Sequence, residues 1–260
     1  MLSHNINPVI MWIGNFPLTY YIIVYIIGFL LATYLLLQVS KKKEIKITKA
    51  QVYMLMLWGI IGLIIGARIF HILFWGWSYY LADPIKMLYI WQGGVSFHGG
   101  LIGVLIAGGI YCKIKKINFW KVADLFAFLG VLMPVFSRTA NFINQEVVGT
   151  VTSAPWCFKF KYHRACRHPV QLYAAAGRLI LFFVMIYWHK GLKKYKDGLM
   201  FWIFILVVGV GRFILDFWRR DFIYFGLKAG QWLSIPMILI GSYVLYKHYK
   251  KDIRRILKKI

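Results

Sequence analysis

Apolar residues fall into seven long blocks along this chain, separated by polar intervals: Thr19–Val39, Val52–Trp75, Gly94–Tyr111, Val122–Ile143, Gln171–Trp188, Gly198–Trp218 and Gln231–Tyr246. Most approach the ~20 residues that a helix needs to cross the hydrocarbon of a bilayer. The third and seventh are shorter, and the third is rich in glycine. The pattern predicts an all-α polytopic membrane protein with about seven transmembrane helices, as one domain over residues 1–260. Two polar stretches stand apart, an external loop or head at about 144–168 and a basic amphipathic tail at about 247–260. In the tail, Tyr249, Ile253, Ile256, Leu257 and Ile260 share one helical stripe, which fits a helix lying on an anionic inner leaflet. A solvated tail that only fixes topology fits the same residues.

Composition strengthens this picture. The chain is 60% hydrophobic and 18% aromatic with a mean hydropathy of +0.64, against about 45–50% apolar residues in a soluble domain. A net charge of +24 would suit nucleic acid, but its placement argues otherwise. Lys41 to Lys49, Lys113 to Lys121, Lys190 to Lys196 and the tail from Lys247 onward carry most of the cations, in every second interval. The positive-inside rule puts those intervals in the cytoplasm, the N-terminus outside and the C-terminus inside, which requires an odd number of spans. The first block follows an uncharged segment, so it does not read as a cleaved signal peptide. Gly62 with Gly66, and Gly99 with Gly103, suit close helix packing. Cys112 sits at a cytoplasmic block end; Cys157 and Cys166 share one loop, where they could bridge. Together with His163 and His168 they could instead hold a metal, but the spacing fits no standard zinc pattern, and no metal site is expected.

The candidate chemistry lies in cations inside apolar blocks: Arg68, Arg138, Arg178 and Arg212. Each costs roughly 2.5–3.5 kcal/mol to insert, which is borne where the charge faces an interior cavity. Arg138 and Asn141 share a helical face, so a guanidinium fork and an amide donor could meet phosphate oxygens. Glu146 lies within reach to steer the arginine or to transfer a proton; a buried Arg–Glu pair that only fixes packing is the alternative. Arg212, Asp216 and Arg219 form one charged stripe, either a second cation for an anion site or an internal ion pair. Four glycines surround His98, which suits a tight turn with a proton-accepting imidazole in a cavity, or a hydrogen-bonded packing residue. Arg68 and His71 could touch headgroups, Arg178 could line the cavity or snorkel, and Tyr21 reads as an interface aromatic.

Together, Phe97-His98-Gly99-Gly100-Leu101-Ile102-Gly103, Arg138-x-x-Asn141-Phe142-Ile143-Asn144-Gln145-Glu146-x-x-Gly149, Arg167-His168-Pro169-x-Gln171-Leu172-Tyr173 and Arg212-Phe213 resemble the prolipoprotein diacylglyceryl transferase family. The similarity runs in order from about Gly14 to the tail. It implies seven spans with the N-terminus outside, in the bacterial inner membrane. It also implies transfer of a diacylglyceryl group from phosphatidylglycerol to the lipobox cysteine of a prolipoprotein signal peptide, with no cofactor. Carried over by motif, Arg138, Asn141 and Gly149 would bind substrate, while His98, Arg212, Tyr21 and Glu146 would be catalytic. Val208 stands where many members carry a tyrosine, Ala174 replaces an often acidic residue, and the Thr150–Arg167 loop is shorter than several members' head regions. The alternatives are a lipid or anion transporter built on the same arginines, or an inactive relative that binds prolipoproteins.

Overall fold

A computed structural model describes residues 2–3, 6–7, 9–14, 16–41, 45–89, 93–161, 163–192 and 194–258. The described chain is mostly helical. Strand β1 (Leu2–Ser3) precedes a hairpin of β2 (Val9–Ile13) and β3 (Phe16–Thr19), which leads into α1 (Tyr20–Lys41). There follow α2 (Lys49–Trp75), short α3 (Trp77–Ala82), a 3₁₀ turn at Pro84–Leu88, α4 (Phe97–Ile114) and α5 (Phe119–Ile143). Strand β4 (Phe158–Lys159), α6 (Val170–Gly191), α7 (Leu199–Leu215) and a 3₁₀ turn at Asp216–Trp218 come next. The hairpin β5 (Ile223–Tyr224) and β6 (Leu227–Lys228) then precedes α8 (Ala229–Leu257).

Among the described residues, five helices are long and apolar enough to cross a membrane: α2, α5, α6, α7 with its 3₁₀ extension, and α8. The apolar stretches Ile22–Gln38 of α1 and His98–Ile114 of α4 are shorter. The chain is thus a polytopic helical membrane protein.

The contacts divide the chain into two compact units, residues 33–122 and residues 1–32 with 123–260. In the first, Thr48 and Gln51 form a reciprocal capping box that starts α2. The glycine spacing in α2 and α4 serves close packing: a side chain on Gly62 would meet Gly103, and one on Gly66 would come 2.8 Å from the Gly103 Cα. Small residues let the two backbones approach to this distance without a side chain between them.

In the second unit, α7 packs on α8 and on α6. Asp124 of α5 caps α7 from a distance, its carboxylate accepting from the Gly198 and Phe201 N–H groups at 2.7 and 2.9 Å. The first N–H groups of a helix lack intrahelical partners, and a carboxylate also suits the positive end of the helix dipole. The 144–169 segment packs on the helix ends that flank it, with Val148 and Phe160 buried against Phe142 of α5 and packed by Phe158 and by Leu172 of α6. Cys157 and Cys166 form a disulfide there, and among the described residues no cluster of His, Cys, Asp and Glu could hold a metal.

Helix α8 continues without a break to Leu257, so the expected tail extends the last apolar block. Its stripe is divided. Tyr249 and Ile256 are buried while Leu257 is exposed, and Tyr249 Oη donates to the Asp197 carbonyl at 2.8 Å. Ile260 lies outside the described residues. The buried half of the stripe is therefore used to seat the 194–198 turn.

Candidate active site

Three helices of the second unit bring cations into one cavity. Arg138 comes from the last turns of α5, Arg178 from the middle of α6 and Arg212 from the end of α7, with Arg219 beyond the following 3₁₀ turn. Gln171, Ala174, Arg178 and Leu181 recur at helical spacing along α6 and form one wall. The cavity measures about 130 Å³. Apart from the four arginines, Asp216 and Gln171, its lining is apolar, including Val147, Val170, Val207, Val208 and Leu215. Among the lining residues, four guanidiniums face a single carboxylate, that of Asp216. Apolar walls screen charge poorly, so the excess of cations favours an anionic occupant.

Asp216 is 1% exposed and lies 3.1 Å from Arg212 Nε and 4.0 Å from Arg219 Nη1. The Arg212 contact is a close Coulombic pair without the alignment of a hydrogen bond. Arg219 also reaches Asp221 at 3.5 Å. Arg212 is thus ion-paired within its own stripe and also lines the cavity. Arg178 lines the cavity as well and does not snorkel away.

Asn141 departs from the expected arrangement. Its amide was expected to donate to a ligand beside Arg138. Instead Oδ1 accepts from Arg138 Nη1 at 3.2 Å and Nδ2 donates to Glu146 Oε2 at 3.2 Å. Asn144 Nδ2 reaches the other Glu146 oxygen at 3.4 Å. Asn141 is buried and Glu146 exposed, so the amide relays an exposed carboxylate to the arginine. Asn141 thus links Arg138 to Glu146 by two hydrogen bonds.

Gly149 is buried and is not among the cavity's lining residues. A side chain there would overlap the His168 carbonyl and come 3.0 Å from the Trp218 carbonyl. Its N–H donates to the His168 carbonyl at 3.1 Å, and its carbonyl accepts from Arg167 Nη1 at 3.0 Å. With Thr150 N–H on the Trp218 carbonyl at 2.7 Å, these bonds staple the chain after α5 to the segment before α6 and to the turn after α7. Gly149 thus holds the floor from which Arg219 projects. In the head, partial burial and then Arg167 and Arg220 hold His163 below the ordinary imidazole range.

Arg68, expected to touch headgroups, is saturated by its own chain. The residue is 5% exposed, and its guanidinium donates to the carbonyls of Lys86, Met87, Tyr89, Gly93 and Gly94 at 2.5 to 3.2 Å. Its Cζ also sits 4.8 Å over the Tyr80 ring. A planar fork of five N–H donors is matched here by carbonyls of the 86–94 segment, so Arg68 is a structural clamp. His71 lies beside it, in a cleft lined by Trp75, Tyr79 and Tyr80. His98 is half-buried at the start of α4, in the same unit as Arg68. Tyr21 lies in the first turn of α1, but its side chain falls outside the described residues. Reasoning from sequence gave no role to Gln171 and set Arg219 only on the Arg212 stripe. The spacing of Gln171 seven residues before Arg178 was the available signal.

An α-helical membrane protein whose interior cavity is lined by guanidiniums is the class that this fold and site define. The family model described as prolipoprotein diacylglyceryl transferase matches residues 8–247. The phosphatidylglycerol–prolipoprotein diacylglyceryl transferase of Pasteurella multocida is 39% identical over 255 residues, covering 94% of this chain and 93% of that protein. The Geobacter sulfurreducens protein of the same name is 36% identical over 245 residues, covering 91% and 93%. A Rickettsia rickettsii protein, also so named, is 37% identical over 255 residues, covering 94% and 98%. The chain belongs to the prolipoprotein diacylglyceryl transferase family.

Proposed function

We propose that this protein transfers the diacylglyceryl group of phosphatidylglycerol to the lipobox cysteine of prolipoproteins in the bacterial inner membrane. The observation that carries the reading is the convergence of Arg138, Arg178 and Arg212 on one apolar-walled cavity. The cysteine sulfur attacks the glyceryl carbon bearing the phosphate. The C–S bond forms, the C–O bond breaks, and glycerol phosphate leaves with the bond's electron pair. Negative charge grows on the leaving oxygen, and preorganised guanidiniums stabilise that charge more than the ground state. Arg138, oriented by Asn141 and Glu146, and Arg212, held by Asp216, grip the phosphodiester. A thiol of pKa about 8.5 is mostly protonated at neutral pH, so the proton must be taken up. His98 is assigned as the base, and Tyr21 as a further catalytic group, on the strength of their motif positions. Gly149 supports the substrate site through backbone packing.

The same proposal gives α1, α2, α4, α5, α6, α7 and α8 one crossing each, within a single transmembrane domain. The N-terminus and the 144–168 head lie outside, and the basic end of α8 lies in the cytoplasm. The alternation of lysine clusters supports this orientation.

The test is a lipidation assay with the full-length protein in vesicles, phosphatidylglycerol and a peptide bearing a lipobox cysteine. A thioether-linked diacylglyceryl peptide and released glycerol phosphate are expected. Vesicle-to-vesicle or transbilayer lipid movement without lipidated peptide would favour a transporter. Failure to rescue a strain depleted of its own transferase, with peptide binding retained, would favour an inactive relative.

A further inference from the structure

We propose that Gln171 reads the hydroxyl groups of the donor lipid's glycerol headgroup, an inference that rests on the transfer reaction proposed above. Gln171 stands in the first turn of α6, is 1% exposed and lines the guanidinium cavity. Its Nε2 donates to the Glu146 carbonyl at 2.6 Å. A carbonyl can only accept, so the amide cannot be turned around, and Oε1 is fixed on the opposite side. That oxygen is buried and has no hydrogen-bond partner among the described residues. Leaving a buried acceptor unmade is costly, and a ligand or an ordered water normally completes it.

The rest of the lining narrows the ligand. Guanidiniums offer donors and no acceptor. The carboxylate of Asp216 carries a charge and sits against Arg212 and Arg219, 3.1 and 4.0 Å away, where a ligand hydroxyl must compete with two cations. Gln171 Oε1 is the neutral side-chain acceptor among the lining residues that has no partner of its own. A phosphatidylglycerol headgroup presents both complements, phosphate oxygens for the arginines and hydroxyls for the amide oxygen. An ammonium headgroup also donates, but four nearby guanidiniums repel it. A neutral amide amid cations thus selects a hydroxyl over an ammonium.

The experiment compares two donors in vesicles with the full-length enzyme: phosphatidylglycerol, and phosphatidylpropanol, which keeps the phosphodiester but has no hydroxyl. Both are measured as kcat/KM for peptide lipidation. The wild-type protein is expected to prefer phosphatidylglycerol roughly tenfold, the value of one ordinary hydrogen bond. In Gln171→Met this ratio should collapse toward one. A purely structural role, exerted through the Glu146 carbonyl, or a contact with the peptide would lower both donors alike and keep the ratio, which overturns the proposal. Absence of a preference in the wild-type protein overturns it equally. Should Gln171→Met fail to insert, Gln171→Asn withdraws the amide by one methylene and is read by the same ratio. If wild-type protein lipidates peptide from neither lipid, the transfer reading itself fails, a result distinct from loss of selectivity.

Discussion

Gly230 lies directly against the Asp216 carboxylate. A methyl group at that position would overlap Oδ2 and come within 2.8 Å of Arg212 Nε. The opening turn of α8 thus forms a wall behind the ion pair at the end of α7. Asp216 is also covered by Lys228, whose Nζ donates to the carbonyls of Asp216 and Arg219 at 2.5 and 2.6 Å.

Gly230→Ala is therefore expected to push Asp216 off Arg212 and to lower activity at least tenfold, with normal membrane insertion. Overpacking of this kind typically costs about 1–3 kcal/mol. Lipidation rate and thermal stability are measured together. Wild-type turnover in the variant would show that the Arg212–Asp216 geometry does not matter to the reaction.

Arg138→Lys keeps the charge but loses the fork that meets Asn141 and, in the proposed reaction, would meet the phosphate. A loss of roughly a hundredfold in kcat is expected, the usual scale for removing one transition-state donor. Asn141→Ala should fall in the same direction, because Glu146 then no longer reaches Arg138 through the amide. Unchanged rates for Arg138→Lys would remove that residue from the site.

Arg68→Lys should behave differently. Its guanidinium donates to five carbonyls, and an ammonium has only three donors. The expected loss is about 2–4 kcal/mol of stability, as hydrogen bonds from a charged donor are left unmade. Faster proteolysis in the 83–94 segment, with an unchanged KM for lipid, is the signature. A raised lipid KM with normal stability would instead assign Arg68 to headgroup binding.

The Cys157–Cys166 disulfide closes the head with a sequence separation of 9. Thiol titration of the denatured protein should find one reactive group without reductant, Cys112, and three after reduction. Cys157→Ser with Cys166→Ser should loosen the head by about 2–4 kcal/mol, read as earlier protease cleavage between Thr150 and Arg167. Three reactive thiols before reduction would show that the bridge does not form.

Much of this protein was legible along the chain. Apolar blocks ended within a few residues of the observed helices because a helix satisfies its backbone hydrogen bonds within its own segment, so block length alone limits it. The extension of α8 to Leu257 escaped that logic, since the burial of Tyr249, Asp252 and Ile256 depends on the turn near Asp197, more than fifty residues earlier. The β2–β3 hairpin also went unread, although Ile13-Gly14-Asn15-Phe16 carries a two-residue turn signal and Gly14 adopts φ +59°. Motif order identified the family.

What the sequence determined by itself is that this chain carries four arginines within apolar blocks, on helices it can build locally. Which of them face an open cavity was decided by the tertiary structure. Arg68 and Arg178 look alike in sequence, yet one spends its guanidinium on carbonyls up to 26 positions away and the other lines the cavity between three helices. The partners of a guanidinium are fixed by through-space distance and competition among acceptors, and neither quantity is written in the spacing of residues along one helix.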